Sequence, residues 1–170
     1  MDIQFTSFLQ KGDKVVIVSP SSKIDQQFLK GAKKRIESWG LKVAMGKYAG
    51  SSSGRDAGTI RQRLKDLQDA MDDPKVKAIL CSRGGYGAVH LIDKIDFTAF
   101  HEHPKWLLGF SDITALHNLF QKNGYASLHS LMAPNSFAKK QKLIGAPPSL
   151  LPSGKQSQTT SPIPIIFMVL

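Results

Sequence analysis

Ser111 stands where an apolar run, Trp106-Leu107-Leu108-Gly109-Phe110, gives way to residues at helical spacing, Ile113, Leu116, His117 and Phe120. A serine at such a junction has the geometry of a nucleophile elbow. The tight turn exposes Oγ, and the helix start offers unpaired N–H groups to a developing oxyanion. Serine is also a preferred helix N-cap, and on this feature alone both roles stay open. Gly84 and Gly85 follow a second apolar run, Val76 to Cys81, inside Arg83-Gly84-Gly85-Tyr86-Gly87. Glycines let the main chain adopt φ > 0 and approach a ligand closely, so this loop can supply a second oxyanion donor. It reads equally as a simple turn, and it lacks the glycine spacing of a Walker or Rossmann phosphate loop.

These residues need elements to hold them. Lys14-Val15-Val16-Ile17-Val18 is a β-branched run that suits a strand buried on both faces and stopped by Ser19-Pro20-Ser21-Ser22. Phe28, Leu29, Ala32, Ile36 and Trp39 then recur at helical spacing, with Gly40 as the C′ residue. Leu41 to Met45 reads as a second strand and Gly46 to Gly58 as a long surface loop. Thr59 caps a helix with the stripe Ile60, Leu64, Leu67 and Met71. The Val76–Cys81 strand follows, then a helix over Ala88–Ile95, the strand entered through Pro104, the helix after Ser111 closed by Gly124, and a strand over Tyr125–His129. This alternation predicts an α/β fold, a flavodoxin-like parallel sheet with helices on both faces and right-handed crossovers. In such sheets sites lie at the carboxyl ends of strands, where both Gly84-Gly85 and Ser111 fall.

A chain of 170 residues fits one ordinary domain, and its 41% apolar and 21% charged composition fits a globular protein with a buried core. The formal charge of +10 favours anionic partners. The lysines and arginines are nevertheless spread through segments such as Lys33-Lys34-Arg35 and Lys139-Lys140 with no aromatic platform between them, so solvated helix faces are expected rather than a nucleic-acid surface. Cys81 is the single cysteine, which excludes an internal disulfide and a thiolate metal site. The start lacks the basic and apolar regions of a secretory signal, and the apolar stretch Ile163 to Leu170 falls short of the roughly 20 residues of a membrane helix. A cytoplasmic protein without membrane or cofactor is the expectation. Beyond about Gly145 the composition turns to prolines and Gln156-Ser157-Gln158-Thr159-Thr160-Ser161, so a domain over residues 1–140 and an irregular tail over 141–170 are expected.

Several motifs together resemble the LD-carboxypeptidase family, which includes the muramoyl-tetrapeptide carboxypeptidases and the microcin-immunity peptidases. They run from Gly12-Asp13 to Ala133: Pro20-Ser21-Ser22, Ala57-Gly58-Thr59, Arg63-Leu64 with Asp66-Leu67-Gln68, Asp73-Pro74, Arg83-Gly84-Gly85-Tyr86-Gly87, Pro104-Lys105, and Gly109-Phe110-Ser111-Asp112-Ile113-Thr114-Ala115-Leu116-His117. The resemblance implies a cytoplasmic serine hydrolase that removes the terminal D-alanine from an L,D-linked cell-wall tetrapeptide during murein recycling, without a metal or cofactor and usually as a homodimer. Ser111 matches the nucleophile. The main-chain N–H groups of Asp112 and of the Gly84-Gly85 turn match the oxyanion hole, and Arg83, Tyr86 and His129 are expected to line the substrate cleft.

The family completes its triad with a Glu and a His from a carboxy-terminal domain, and the sequence is expected to lack that domain through truncation or a frameshift. After Asp112 there is no Asp or Glu, and the last histidine is His129. His117, six positions after Ser111, is turned away from it on a helix and is expected to pack against a neighbouring element. His90, His101 and His103 have no metal-ligand partners at useful spacing and are expected at the surface. A chain with a nucleophile and no base is expected to be nearly inactive. A non-catalytic muropeptide-binding module is the alternative, and a nucleotide binder using the Gly84-Gly85 turn a third.

Overall fold

The computed structural model describes residues 3–134 and the backbone of residues 168–169. Five parallel strands form the sheet in the order β2-β1-β3-β4-β5: β1 (Lys14–Val18), β2 (Lys42–Met45), β3 (Val76–Cys81), β4 (Trp106–Gly109) and β5 (Leu128–His129). A two-residue β6 (Met168–Val169) pairs antiparallel with β5, so the sheet is mixed at that edge. The irregular tail expected over 141–170 otherwise lies outside the described residues.

The period of two along each strand sorts side chains onto two cores. Val16, Val18, Ile79, Cys81 and Leu107 face one side, where they meet Leu67 and Met71 of α2 (Ile60–Asp72) and Leu116 and Phe120 of α4 (Thr114–Lys122). Val15, Ile17, Ala78, Leu80, Trp106 and Leu108 face the other, against Leu29, Ala32 and Ile36 of α1 (Gln26–Glu37). Helices thus cover both faces, as the unbroken apolar runs require. Phe97 and Phe100, the latter in the short α3 (Thr98–Glu102), stack edge-on with Phe120 beneath the first core.

Local signals set the helix limits. Thr59 forms a capping box with Gln62, each side chain serving the other's backbone N–H. Asp25 caps α1 through Gln27 N–H, and Gly40 takes φ +85° just past its end. The helix expected over Ala88–Ile95 is instead one 3-10 turn, Ala88–Leu91, entered from Gly87 at φ +117°. The strand expected over Tyr125–His129 shrinks to Leu128–His129, because Tyr125 makes only an isolated bridge to Gln4. Among the described residues no helix is long and apolar enough to cross a membrane.

Lys105, only 1% exposed, closes the far end of α2 by donating from Nζ to the carbonyls of Met71 and Asp73. Burial pulls its ammonium from 10.5 down to about 8, against the pull of Asp73 and Asp72. Between those values the unfolded chain holds more protons than the folded one, so stability rises with pH from about 8 towards 10.5. Urea titrations on either side of this window should give the higher midpoint at the alkaline end. In Lys105→Met that increment should vanish; an increment that persists would place its origin elsewhere.

Candidate active site

The loops that leave β1, β3 and β4 converge at the carboxyl end of the sheet. The chain steps from β1 outward to β2 and then back across to β3, so the order reverses between β1 and β3 and opens a crevice there. Ser111 follows β4 on the same edge. Phe110 is fully extended, and Ser111 then turns to φ +62°, the one non-glycine residue with positive φ among the described residues. A short 3-10 turn, Ser111–Ile113, leads into α4.

This geometry decides between the two roles a serine can play here. Neither the turn nor α4 has a side-chain cap, and Ser111 Oγ has no hydrogen-bond partner among the described residues. The side chain is exposed. The hydroxyl is therefore held out by a left-handed backbone, which costs about 1–3 kcal/mol in a non-glycine residue, and it caps nothing.

Gly84 sits directly against it. A Cβ added at Gly84 would lie 3.0 Å from Ser111 Cβ, 3.2 Å from Ser111 Oγ and 3.2 Å from the Phe110 carbonyl oxygen. The absence of a side chain is thus what lets this backbone approach the serine. Gly85 adopts φ +117°, and the N–H groups of Gly84 and Gly85 have no partner among the described residues. The N–H of Asp112 lies in the first turn after the elbow, where no intrahelical acceptor exists. Donors of this kind are free to meet a negative oxygen near Ser111 Oγ.

Three side chains lash the loops together. Asp112 Oδ2 accepts from Ser21 Oγ at 2.5 Å and from Ala88 N–H at 2.9 Å, tying the β4, β1 and β3 loops at one carboxylate. Ser22 Oγ accepts from Tyr86 N–H at 3.1 Å. Arg63 of α2 is buried and donates from Nη1 to the carbonyls of Pro20, at 2.7 Å, and Gly87, at 2.9 Å, while Nη2 faces Asp56 Oδ2 at 3.5 Å. The sequence marks Arg63 only as part of a family motif. Its role depends on two carbonyls remote in the chain, which helical periodicity does not reveal.

Arg83 is exposed and donates from Nη1 to the Lys23 carbonyl at 3.1 Å. The ring of Tyr86 carries the Arg55 guanidinium 4.1 Å above it. His129, half-buried, pairs in register with Gly109 and lies near the Phe110 ring, with centroids 5.8 Å apart. It therefore stands one strand away from the elbow.

His117 is buried with both ring nitrogens engaged. Nε2–H donates to the Gly109 carbonyl at 3.0 Å, which leaves Nδ1 to accept from Ser127 Oγ at 2.8 Å. Burial also holds its imidazole below the ordinary range. It packs against neighbouring elements, as the helix geometry predicts. His90, His101 and His103 are exposed, His101 bonding to the Tyr125 hydroxyl.

Residues 15–130 match the model of the LD-carboxypeptidase N-terminal domain. A probable murein peptide carboxypeptidase of Bacillus subtilis is 39% identical over 125 residues, covering 73% of this chain and 39% of the relative. The murein tetrapeptide carboxypeptidase of Pseudomonas aeruginosa is 33% identical over 121 residues, covering 71% and 39%. Among solved structures, an MccF-like protein from Bacillus anthracis superposes with a TM-score of 0.76 at 30% identity, over 82% of this chain and 44% of that one. The chain spans about two fifths of the length of the curated relatives it matches.

Proposed function

Since the chain belongs to the LD-carboxypeptidase family, we propose that residues 1–140 are the nucleophile domain of a cytoplasmic serine LD-carboxypeptidase acting on murein tetrapeptide. Ser111 Oγ attacks the carbonyl of the last peptide bond. The N–H groups of Gly84, Gly85 and Asp112 receive the oxyanion, and Arg83, Tyr86 and His129 border the peptide. The observation that carries this reading is the Ser111 elbow, with φ +62°, an exposed and uncapped hydroxyl, and a glycine backbone pressed against it.

Among the described residues no side chain is hydrogen-bonded to that hydroxyl, and His129 stands one strand away from it. His117 has both nitrogens occupied, and no Asp or Glu follows Asp112 in the sequence. A serine without its base loses on the order of a millionfold in rate. Residues 1–170 on their own are therefore a site for the peptide with negligible turnover. A non-catalytic muropeptide-binding module shares this prediction, and a transition-state mimic separates the two.

A peptide analogue that ends at the residue before the last, with a boronic acid in place of the carbonyl that the serine attacks, becomes tetrahedral on adding a serine oxygen. Boron NMR should show the tetrahedral signal with the native chain and none with Ser111→Ala. An equal signal from the variant, or none from the native chain, would sink the nucleophile assignment. Mass spectrometry of intact tetrapeptide incubated with the chain should show no released D-alanine. Turnover abolished by Ser111→Ala would overturn the claim of inactivity while upholding the nucleophile.

A further inference from the structure

We propose that Arg55, stacked on Tyr86, is the residue that reads the free carboxylate of the substrate's last amino acid. The inference rests on the serine carboxypeptidase reading and extends it to specificity.

An enzyme that removes one terminal residue must distinguish a chain end from an interior bond, and the carboxylate is what distinguishes them. That carboxylate lies one residue beyond the carbonyl under attack, a span of about 3.3–3.6 Å along an extended chain. Among the described residues, the groups within that span rise from the loops at the carboxyl end of the sheet. Those loops carry several charged groups, among them the exposed Lys23, which lies over no aromatic ring among the described residues. Asp112 is an anion whose Oδ2 is engaged by Ser21 and Ala88, and Arg63 is buried with its Nη1 committed to two carbonyls. Arg83 donates from Nη1 to Lys23, and Asp56 faces Arg63.

Arg55 differs from all of these. Its side chain is 69% exposed, and its terminal nitrogens have no partner among the described residues. Only Nε approaches an acid, Asp56 Oδ1, at 3.8 Å, and that carboxylate is shared with Arg63. The guanidinium is nonetheless not loose. It lies 4.1 Å over the ring of Tyr86, a residue whose backbone N–H is fixed by Ser22 and whose ring meets that of His90 edge-on at 5.7 Å. The Arg55 carbonyl accepts from Lys23 N–H at 2.9 Å, and Asp56 bridges to Ser22, so the segment is pinned to the β1 loop.

Stacking fixes the plane of a guanidinium and leaves its edge free for a two-pronged bond to a carboxylate. It also explains why Tyr86, 46% exposed, stands open on the surface: its face is the platform for the cation. Tyr86 is two residues from Gly84, which touches Ser111, so platform and nucleophile belong to one rim.

The test uses the full chain and two ligands, murein tetrapeptide and its terminal carboxamide, titrated by nitrogen–proton NMR. Both should shift the Gly84 and Gly85 amides. The free acid should bind about tenfold more tightly, as expected for a charge-assisted bond, and should alone move the Arg55 side-chain Nε–H signal. In Arg55→Gln the preference for the acid should collapse to near parity with the amide's affinity unchanged, and Arg55→Lys should restore part of it. Equal binding of acid and amide to the native chain, or a preference that survives in Arg55→Gln, overturns the inference and leaves the serine reading standing. If neither ligand perturbs Gly84 and Gly85, both fall together.

Discussion

Arg63→Leu should lower the free energy of unfolding by about 3–5 kcal/mol, the usual consequence of removing one member of a buried charged network. Leucine replaces most of the apolar stem but none of the donors. The carbonyls of Pro20 and Gly87, which Arg63 Nη1 reaches at 2.7 and 2.9 Å, would be left bare in a buried setting, and Asp56 would lose its partner. The loss should show as a lower urea midpoint with little change in slope. Arg63→Lys offers the discriminating comparison. It keeps the charge but presents a single ammonium in place of the fork, so its midpoint should fall between those of the native chain and Arg63→Leu. A loss under about 1 kcal/mol for Arg63→Leu, the level of an exposed ion pair, would mean that the loops hold their shape without it.

Gly85→Ala should be damaging in a different way. At φ +117° an alanine is strained by about 1–2 kcal/mol. Its Cβ would also overlap the Ser22 side chain, so Ser22 must abandon the Tyr86 N–H it now accepts from, adding about 1–3 kcal/mol for a crowded site. The same displacement moves the Gly84-Gly85 N–H groups away from Ser111, so the tetrahedral boron signal should disappear even in the folded fraction. Gly54→Ala supplies the control, because Gly54 has φ +60° with nothing within 4 Å of an added Cβ. It should show strain alone and retain the boron signal. If Gly85→Ala keeps that signal, the turn is not an oxyanion donor.

The parts of this architecture that the sequence reveals are those set by local rules. β1, β3 and β4 are legible because both their faces are buried, which forces unbroken apolar runs. The start of α2 is legible because Thr59 and Gln62 satisfy each other within one turn. The Ala88–Ile95 segment misleads for the same reason. Its apolar residues suit a helix, but Val89 is exposed and the chain winds for only one turn beyond Gly87. Ile60, assigned to the buried stripe of α2, is also exposed, while Arg63 and Asp66 are buried in its stead. Their burial follows from what they bind. Asp66 accepts from Tyr48 N–H at 2.7 Å, and Arg63 serves two loop carbonyls, so both depend on contacts no helical period encodes.

The site divides along the same line. The motif at Ser111 places a serine at a strand end, and the structure brings Gly84 against it and engages both ring nitrogens of His117 elsewhere. The sequence points to the main-chain N–H of Asp112; its carboxylate gathers Ser21 and Ala88, a contact that spans three loops and that no local pattern encodes. The Arg55 stack on Tyr86 had no sequence signal at all, since it joins positions on two separate connections.

The left-handed backbone at Ser111 has a consequence for engineering. Glycine would occupy φ +62° without strain, so a campaign that selects variants for heat resistance alone should find Ser111→Gly among its easiest gains and discard the hydroxyl in taking it. At this position a gain in durability would remove the proposed nucleophile, and the sequence holds the less durable choice.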